Sequence, residues 1–341
     1  MRTSKNLYSV EKLLLIVALL TLALYQLIGI PLRVPWFLYQ RKVAFGVATY
    51  LLGKLIQVLI FRLQDIKAFR ADGKKRDWKN TLKNYKELAL VKSLLIIELR
   101  LVHSIGLMFV IYINLKHLIP YINPKIFDPV IADWERRLFS GIDPASWLIS
   151  KLTTESAPAL SSVYMFFYPY IAFLTTSMII FAEKNRAKAF CCSFVFMWFF
   201  AILWEYSFPT LGPCFSTPEL FTSLPFTEVR EIQTELWRQK LYLDRYPRGE
   251  WGVFLISGQP SLHLAAIIHG SLHLAKLNRY TSFASWTLAI LTSVATIYFG
   301  WHFLTDLFGS IILVLSTNWI CSKIFHCCKF IEEKYKHVGN R

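Results

Sequence analysis

The sequence predicts an all-α integral membrane protein, a polytopic bundle of about eight transmembrane helices. Composition, clustering and chain physics lead there together. Of the 341 residues, 55% are hydrophobic and only 18% charged, against about 25% charged in a typical soluble domain. The apolar residues are clustered. Residues 13–32, between Lys12 and Arg33, carry no charge at all, and a run of that length crosses a ~30 Å hydrocarbon core as a helix. Lipid offers the backbone no hydrogen-bond partners, so such runs are read as helices. This composition excludes an ordinary soluble globular protein, a disordered chain and a disulfide-stapled secreted module.

Eight apolar segments can be marked, at 13–32, 43–61, 97–118, 158–182, 189–208, 260–275, 282–299 and 302–321. The first follows basic residues, as a signal peptide would. It is too long for one, and Ile30-Pro31-Leu32-Arg33 is a poor cleavage site, so it reads as a retained span. The second carries Lys54, and the third carries Glu98 and Arg100 near its start. The sixth is short unless Trp251–Ile256 contributes. Six or seven spans is the alternative count, with six possible in the catalytic core.

The net charge of +16 would suggest nucleic-acid binding in a soluble protein. In a membrane protein it follows from the Lys and Arg that collect in cytoplasmic loops, so no nucleic-acid partner is expected. With eight spans, 24 of the 38 Lys and Arg fall on the side of the termini, 13 on the other side, and Lys54 within a span. Both short connections on the terminal side, 183–188 and 276–279, are basic. Both termini are therefore expected in the cytoplasm, and the loops 116–157 and 204–260 in the lumen or periplasm. The stretch 62–100 mixes Lys and Arg with Leu, Phe, Trp and Val. It reads either as a cytoplasmic loop or as an amphipathic helix on anionic lipid. The expected organisation is N-terminal spans with this basic segment over 1–120, a catalytic membrane domain over 121–325, and a cytoplasmic tail over 326–341.

Two stretches carry chemistry. One is Ser257-Gly258-Gln259-Pro260-Ser261-Leu262-His263, entering the sixth segment. The other is Gly300-Trp301-His302-Phe303-Leu304-Thr305-Asp306, entering the eighth. The charge count, made without reference to them, puts both at the non-cytoplasmic face. On a helix, His302 and Asp306 would stand one turn apart on one side. A carboxylate there orients an imidazole and leaves its other nitrogen as acceptor or nucleophile. A carboxylate within an apolar span is costly, so a functional role is its default reading. Pro260 and Ser261 suit a helix start, whose spare N–H groups suit an anion.

Together these motifs resemble the membrane-bound type 2 phosphatidic acid phosphatase superfamily, whose signature is P-S-G-H followed by S-R-x5-H-x3-D. Leu262 in place of Gly is similar to the inositol phosphorylceramide synthase-like branch, which reads P-S-L-H. The stretch from Asp133 through Leu138-Phe139 to Pro144 looks like that branch's D-x-x-L-F-G-x-x-P pattern. Phe208-Pro209-Thr210-Leu211-Gly212-Pro213 looks like its Pro-rich motif after a span. The resemblance covers about residues 130–320. It implies that His302 attacks phosphorus to form a phosphohistidine, that Asp306 orients it, and that His263 protonates the leaving alcohol. Ser261 and neighbouring N–H groups would hold phosphate oxygens, with Gly212 and Pro213 in the substrate-binding loop. A phospholipid or lipid phosphate would be the donor and a lipid hydroxyl or water the acceptor. Neither cofactor nor metal is needed.

The chain departs from the signature in two places. Ala295-Thr296 stand where the superfamily has Ser-Arg. The motif K-x6-R-P is only loosely echoed by Arg238-x6-Arg245-Tyr246-Pro247-Arg248. Arg245 and Arg248 are thus either phosphate ligands or solvated loop charges. His269 and His273 are read as polar packing inside the bundle, because the clustered histidine boxes of membrane di-iron enzymes are missing. A lipid phosphatase, and a transporter or scaffold without catalysis, are the alternatives to head-group transfer.

Overall fold

In the computed structural model, the described residues are 8–33, 36–72, 92–249 and 258–338. They form helices α1 (Ser9–Ile28), α2 (Trp36–Asp72), α3 (Lys92–His117), α4 (Asp128–Leu138), α5 (Pro144–Lys151), α6 (Ala157–Met165), α7 (Phe167–Phe181), α8 (Lys184–Ser207), α9 (Glu228–Arg245), α10 (Leu262–Leu274), α11 (Arg279–Tyr298) and α12 (Leu304–Val338). Single helical turns sit between some of these, and no strand occurs among the described residues. The all-α membrane bundle is as the sequence predicts.

Each of the eight apolar segments falls on helix. Six stretches are long and apolar enough to cross a membrane: Ser9–Ile28, Leu95–Ile122, Thr154–Phe181, Lys184–Ser207, Arg279–Tyr298 and Leu304–Lys323. The other two apolar helices, Ala44–Ile60 and Leu262–Leu274, are shorter. These two are the second and sixth segments, both imperfect in the sequence. The stretch Trp251–Ile256 that would lengthen the sixth lies outside the described residues, as do residues 73–91 of the basic segment. The fourth segment is broken between α6 and α7 at Phe166. Pro169 sits four residues after Met165 and has no N–H to return to that carbonyl.

Helix α8 runs through the middle of the bundle. Phe190, Cys191, Phe194, Val195 and Met197 on it have no exposed surface. It packs against α1, α3, α7, α10 and α12. Helix α10 is apolar nearly all round and is buried nearly all round, as Leu264 to Ser271 show, which is what such a pattern demands. The outer helix α1 instead exposes Leu15, Ile16, Leu19 and Leu20, side chains that suit lipid. Alternation of the helices brings the starts of α6, α10 and α12 and the ends of α3, α8 and α11 to one end of the bundle.

The charges inside the second and third segments find partners. Lys54 Nζ lies 2.7 Å from Glu98 Oε2, and the Tyr50 hydroxyl donates to the same carboxylate at 2.6 Å. Arg100 Nε donates to Glu11 Oε1 at 2.7 Å. Helices α1, α2 and α3 are therefore tied together by closed ion pairs.

Candidate active site

Three loops meet at one end of the bundle, and each has a sequence reason for its shape. The first leads into α10. Ser261 is its N-cap, with the hydroxyl accepting from Leu264 N–H at 3.4 Å. Its carbonyl accepts from the Ser310 hydroxyl at 2.8 Å, so α10 is fastened to α12. Ser261 is fully buried, and its oxygen is engaged in capping. His263 follows on the first turn of α10. Its ring lies against Phe167 (centroids 4.2 Å) and Tyr164 (5.0 Å), and Nε2 is 3.4 Å from the Tyr164 hydroxyl. Nothing in the sequence separates Tyr164 from the other aromatic residues of an apolar span.

The second loop joins α11 to α12 and carries His302. The helix begins only at Leu304, so His302 stands in the loop and Asp306 in the first turn. The expected pairing across one helical turn is replaced by a loop folding back on a helix start. Asp306 Oδ2 accepts from Phe303 N–H at 2.9 Å and lies 3.4 Å from His302 Nδ1. His302 Nδ1 has no hydrogen-bond partner among the described residues, so the pair is adjacent but open. Asp306 has no exposed surface. The rings of His302 and His263 are 6.5 Å apart, centroid to centroid, with their planes tilted by 59°. Trp301 stacks on Tyr164 at 5.5 Å with the planes 4° apart, joining the two histidine loops through aromatic faces.

The third loop is Thr210–Cys214, and it supports the second. Cys214 N–H donates to Gly300 O at 2.8 Å. Gly212 lies with φ +98°, and a Cβ there would strike the Trp301 carbonyl. Gly300 is also left-handed, φ +68°, and its missing side chain makes room for Phe221. The Asp128 carboxylate accepts from Leu211 N–H at 2.8 Å and Gly212 N–H at 2.7 Å. Gly212 therefore approaches the His302 loop with its backbone N–H already occupied. Pro213, next to it, is buried and starts a single helical turn. Burial raises the Asp128 carboxyl above its usual range, and the two N–H groups oppose that rise.

Two side chains outside the motifs complete the support. Gln233 on α9 donates Nε2–H to Phe299 O at 2.8 Å. Glu135 on α4 accepts from Thr305 N–H at 2.6 Å. Burial pushes the Glu135 carboxyl up to about 7, with Asp306 and Asp143 adding to the rise and Thr305 opposing it. The Asp133 of the motif pairs instead with Arg137 at 2.8 Å on the exposed surface.

Arg245 and Arg248 are placed elsewhere. Both are exposed, and Arg248 lies 4.0 Å from the position a Gly29 Cβ would take, at the end of α1. Arg245, over the Tyr246 ring, is twelve residues past Gln233, about 18 Å along the helix. Neither touches His263 or His302. The guanidinium that comes near the loop is Arg230, which donates to Gln233 Oε1 at 3.1 Å. His269 and His273 pack deep in the bundle, their rings 4.5 Å apart, with His269 Nε2 2.9 Å from Ser193 Oγ.

The profile of the PAP2 superfamily matches residues 130–320, more than half of the chain. The chain belongs to the PAP2 superfamily. No curated protein and no solved structure matches it. The family's span begins in α4 and ends in α12, so it takes in all three loops and the helices that hold them. A PAP2 chain supports phosphoesterase chemistry at a membrane in general terms.

Proposed function

We propose that this PAP2 protein transfers a phosphorylated head group between lipids through a phosphohistidine on His302. The observation that carries the reading is the pair of neighbouring imidazoles, 6.5 Å apart, one on the first turn of α10 and one on the loop before α12, with Asp306 beside the second. His302 Nε2 attacks phosphorus while the bond from phosphorus to the leaving alcohol breaks. That oxygen takes its proton from His263. An acceptor hydroxyl then attacks the phosphohistidine, gives its proton to His263, and the phosphorus–nitrogen bond breaks. Splitting one displacement into two in this way is the gain of a covalent nucleophile. Asp306 holds the His302 tautomer and balances the charge that forms on the ring. Arg230 is the cation proposed to face the phosphoryl oxygens.

The acceptor distinguishes two outcomes of the same chemistry. A lipid hydroxyl gives head-group transfer, as in inositol phosphorylceramide synthesis, and Leu262 within Pro-Ser-Leu-His favours this branch. Water gives a lipid phosphatase. The positive-inside count supports a site on the luminal or periplasmic side. The test uses the purified chain in detergent micelles with phosphatidylinositol or phosphatidate, with and without ceramide or diacylglycerol. A new phospholipid formed only when the acceptor is added is the expected result. Phosphate released from phosphatidate regardless of acceptor would instead make the protein a phosphatase. A His302→Ala protein equal to wild type on every substrate would remove catalysis from this site.

A further inference from the structure

Helix α4 is built inside out. Its apolar residues Val130, Trp134 and Leu138 are 59%, 59% and 58% exposed, while two of its three acidic residues, Asp128 and Glu135, are 1% and 3% exposed. The pattern follows the helical period: the two carboxylates are seven residues apart, and the apolar three are spaced by four. An outward apolar stripe with Trp on it suits the bilayer boundary. The inward carboxylates must then earn their burial through bonds, because burying a carboxyl without partners is costly. Asp128 does so on the Gly212 loop. Glu135 does so on the helix that carries Asp306.

That helix needs an outside cap. Its first N–H groups have no partner within the helix, and the residue before it is Phe303, whose side chain cannot accept a hydrogen bond. Asp306 takes the Phe303 N–H. Glu135 takes the N–H of Thr305, two residues on. The start of α12 is thus held between a carboxylate of its own and one from α4. We infer that Glu135 is a positioning residue of the reaction: by capping Thr305 it fixes the start of α12, and so sets where Asp306 and His302 stand. The inference rests on the reading of His302 as nucleophile. The groups facing Glu135 are Asp306 and Thr305 from α12 and Asp143 from the start of α5.

What Glu135 supplies is an acceptor at the right reach. Glutamine keeps the reach and the acceptor and loses the charge. Aspartate keeps the charge and falls one methylene short. Orthovanadate reads the geometry at His302 without the natural lipid, since it mimics the five-coordinate phosphoryl transition state. The experiment measures orthovanadate affinity for the full chain in micelles, with the thermal midpoint of each variant recorded without vanadate. Glu135→Gln should bind within about threefold of wild type, while Glu135→Asp and Glu135→Ala should bind at least about tenfold more weakly, the scale set by a sub-ångström to 1 Å displacement. Aspartate and alanine variants that bind like wild type overturn the inference, as does the reverse order, with aspartate normal and glutamine weak. So does weakening that follows the drop in thermal midpoint equally in all three. His302→Ala separates the two levels: loss of vanadate binding there with normal Glu135 variants defeats the positioning role alone. Vanadate binding that survives His302→Ala, or is missing in wild type, defeats the nucleophile and the positioning role together.

Discussion

Charges sit within membrane-spanning helices at two ends of this bundle, and they are treated differently. Where α1, α2 and α3 meet, Glu98 is closed by Lys54 at 2.7 Å and by Tyr50 at 2.6 Å, and Glu11 is closed by Arg100. At the loop end, Asp306 and His302 stand 3.4 Å apart, and the rings of His302 and His263 are neighbours. The first set spends its hydrogen-bonding capacity on the fold. The second is bonded to its neighbours through the backbone but leaves His302 Nδ1 and Asp306 Oδ1 without hydrogen-bond partners among the described residues. In lipid an open ionisable group is unfavourable unless function retains it, so the difference in closure supports the proposed division between structural charges and reactive ones.

The comparison can be broken by substitution on either side. His302→Ala should reduce turnover on the order of 10⁴-fold or more with the protein still folded. His263→Ala should reduce it about 10³-fold, and a leaving group of low pKa should recover much of that loss, since it needs no proton. Activity of His263→Ala that is no better with such a leaving group would argue against the acid role. On the closed side, Glu98→Ala should lower stability by about 2–3 kcal/mol, because it strands a partly buried lysine. Turnover per folded molecule should stay at the wild-type value, and a large fall would mean the closed cluster is not merely structural.

Two smaller effects sharpen the contrast. Glu135 belongs to the reactive end, and its carboxyl titrates near 7 in the folded protein against 4.5 in its ordinary state. Between those values the folded chain holds a proton that the unfolded chain has released. Stability therefore falls as pH rises from about 4.5 to about 7. Glu135→Gln should flatten that slope of thermal midpoint against pH, and an unchanged slope would assign it to another group. The smallest effect is expected at the surface. Arg248→Ala should leave turnover within about twofold, as exposed charges generally do. Arg230→Ala should cost more than that, and equal effects would return the phosphate contact to the sequence's first candidates.

Much of the site was legible because its chemistry is written locally. Pro260-Ser261 marks a helix start, and Ser261 does cap α10. His302 and Asp306 are close in sequence and stay close in space. The second and sixth apolar segments looked weak and are the two whose apolar helical stretches are shorter, Ala44–Ile60 and Leu262–Leu274. What stayed hidden depends on residues far apart in the chain. Glu135 is 170 residues from Thr305, and Asp133 beside it in sequence faces the other way. The spacing of Asp128 and Glu135 opposite Val130, Trp134 and Leu138 was visible, but the usual expectation puts polar faces outward. Arg245 and Arg248 matched a motif loosely and are exposed at the far end of α9, which carries them away from the loop that Gln233 holds.

The sequence by itself determined the solvent of this protein and its helices, and it named the residues proposed to move a phosphoryl group. Those follow from hydrophobic run length, backbone satisfaction in lipid, and the chemistry of His, Asp and Ser at helix starts. Only the tertiary structure decided which charges are closed and which are open. It also decided that His263 and His302 are neighbours, and that Glu135, Gln233 and Cys214 bond to the loop from α11 to α12 and the start of α12. Such contacts join residues separated by dozens to hundreds of positions, and they exist only once helices pack.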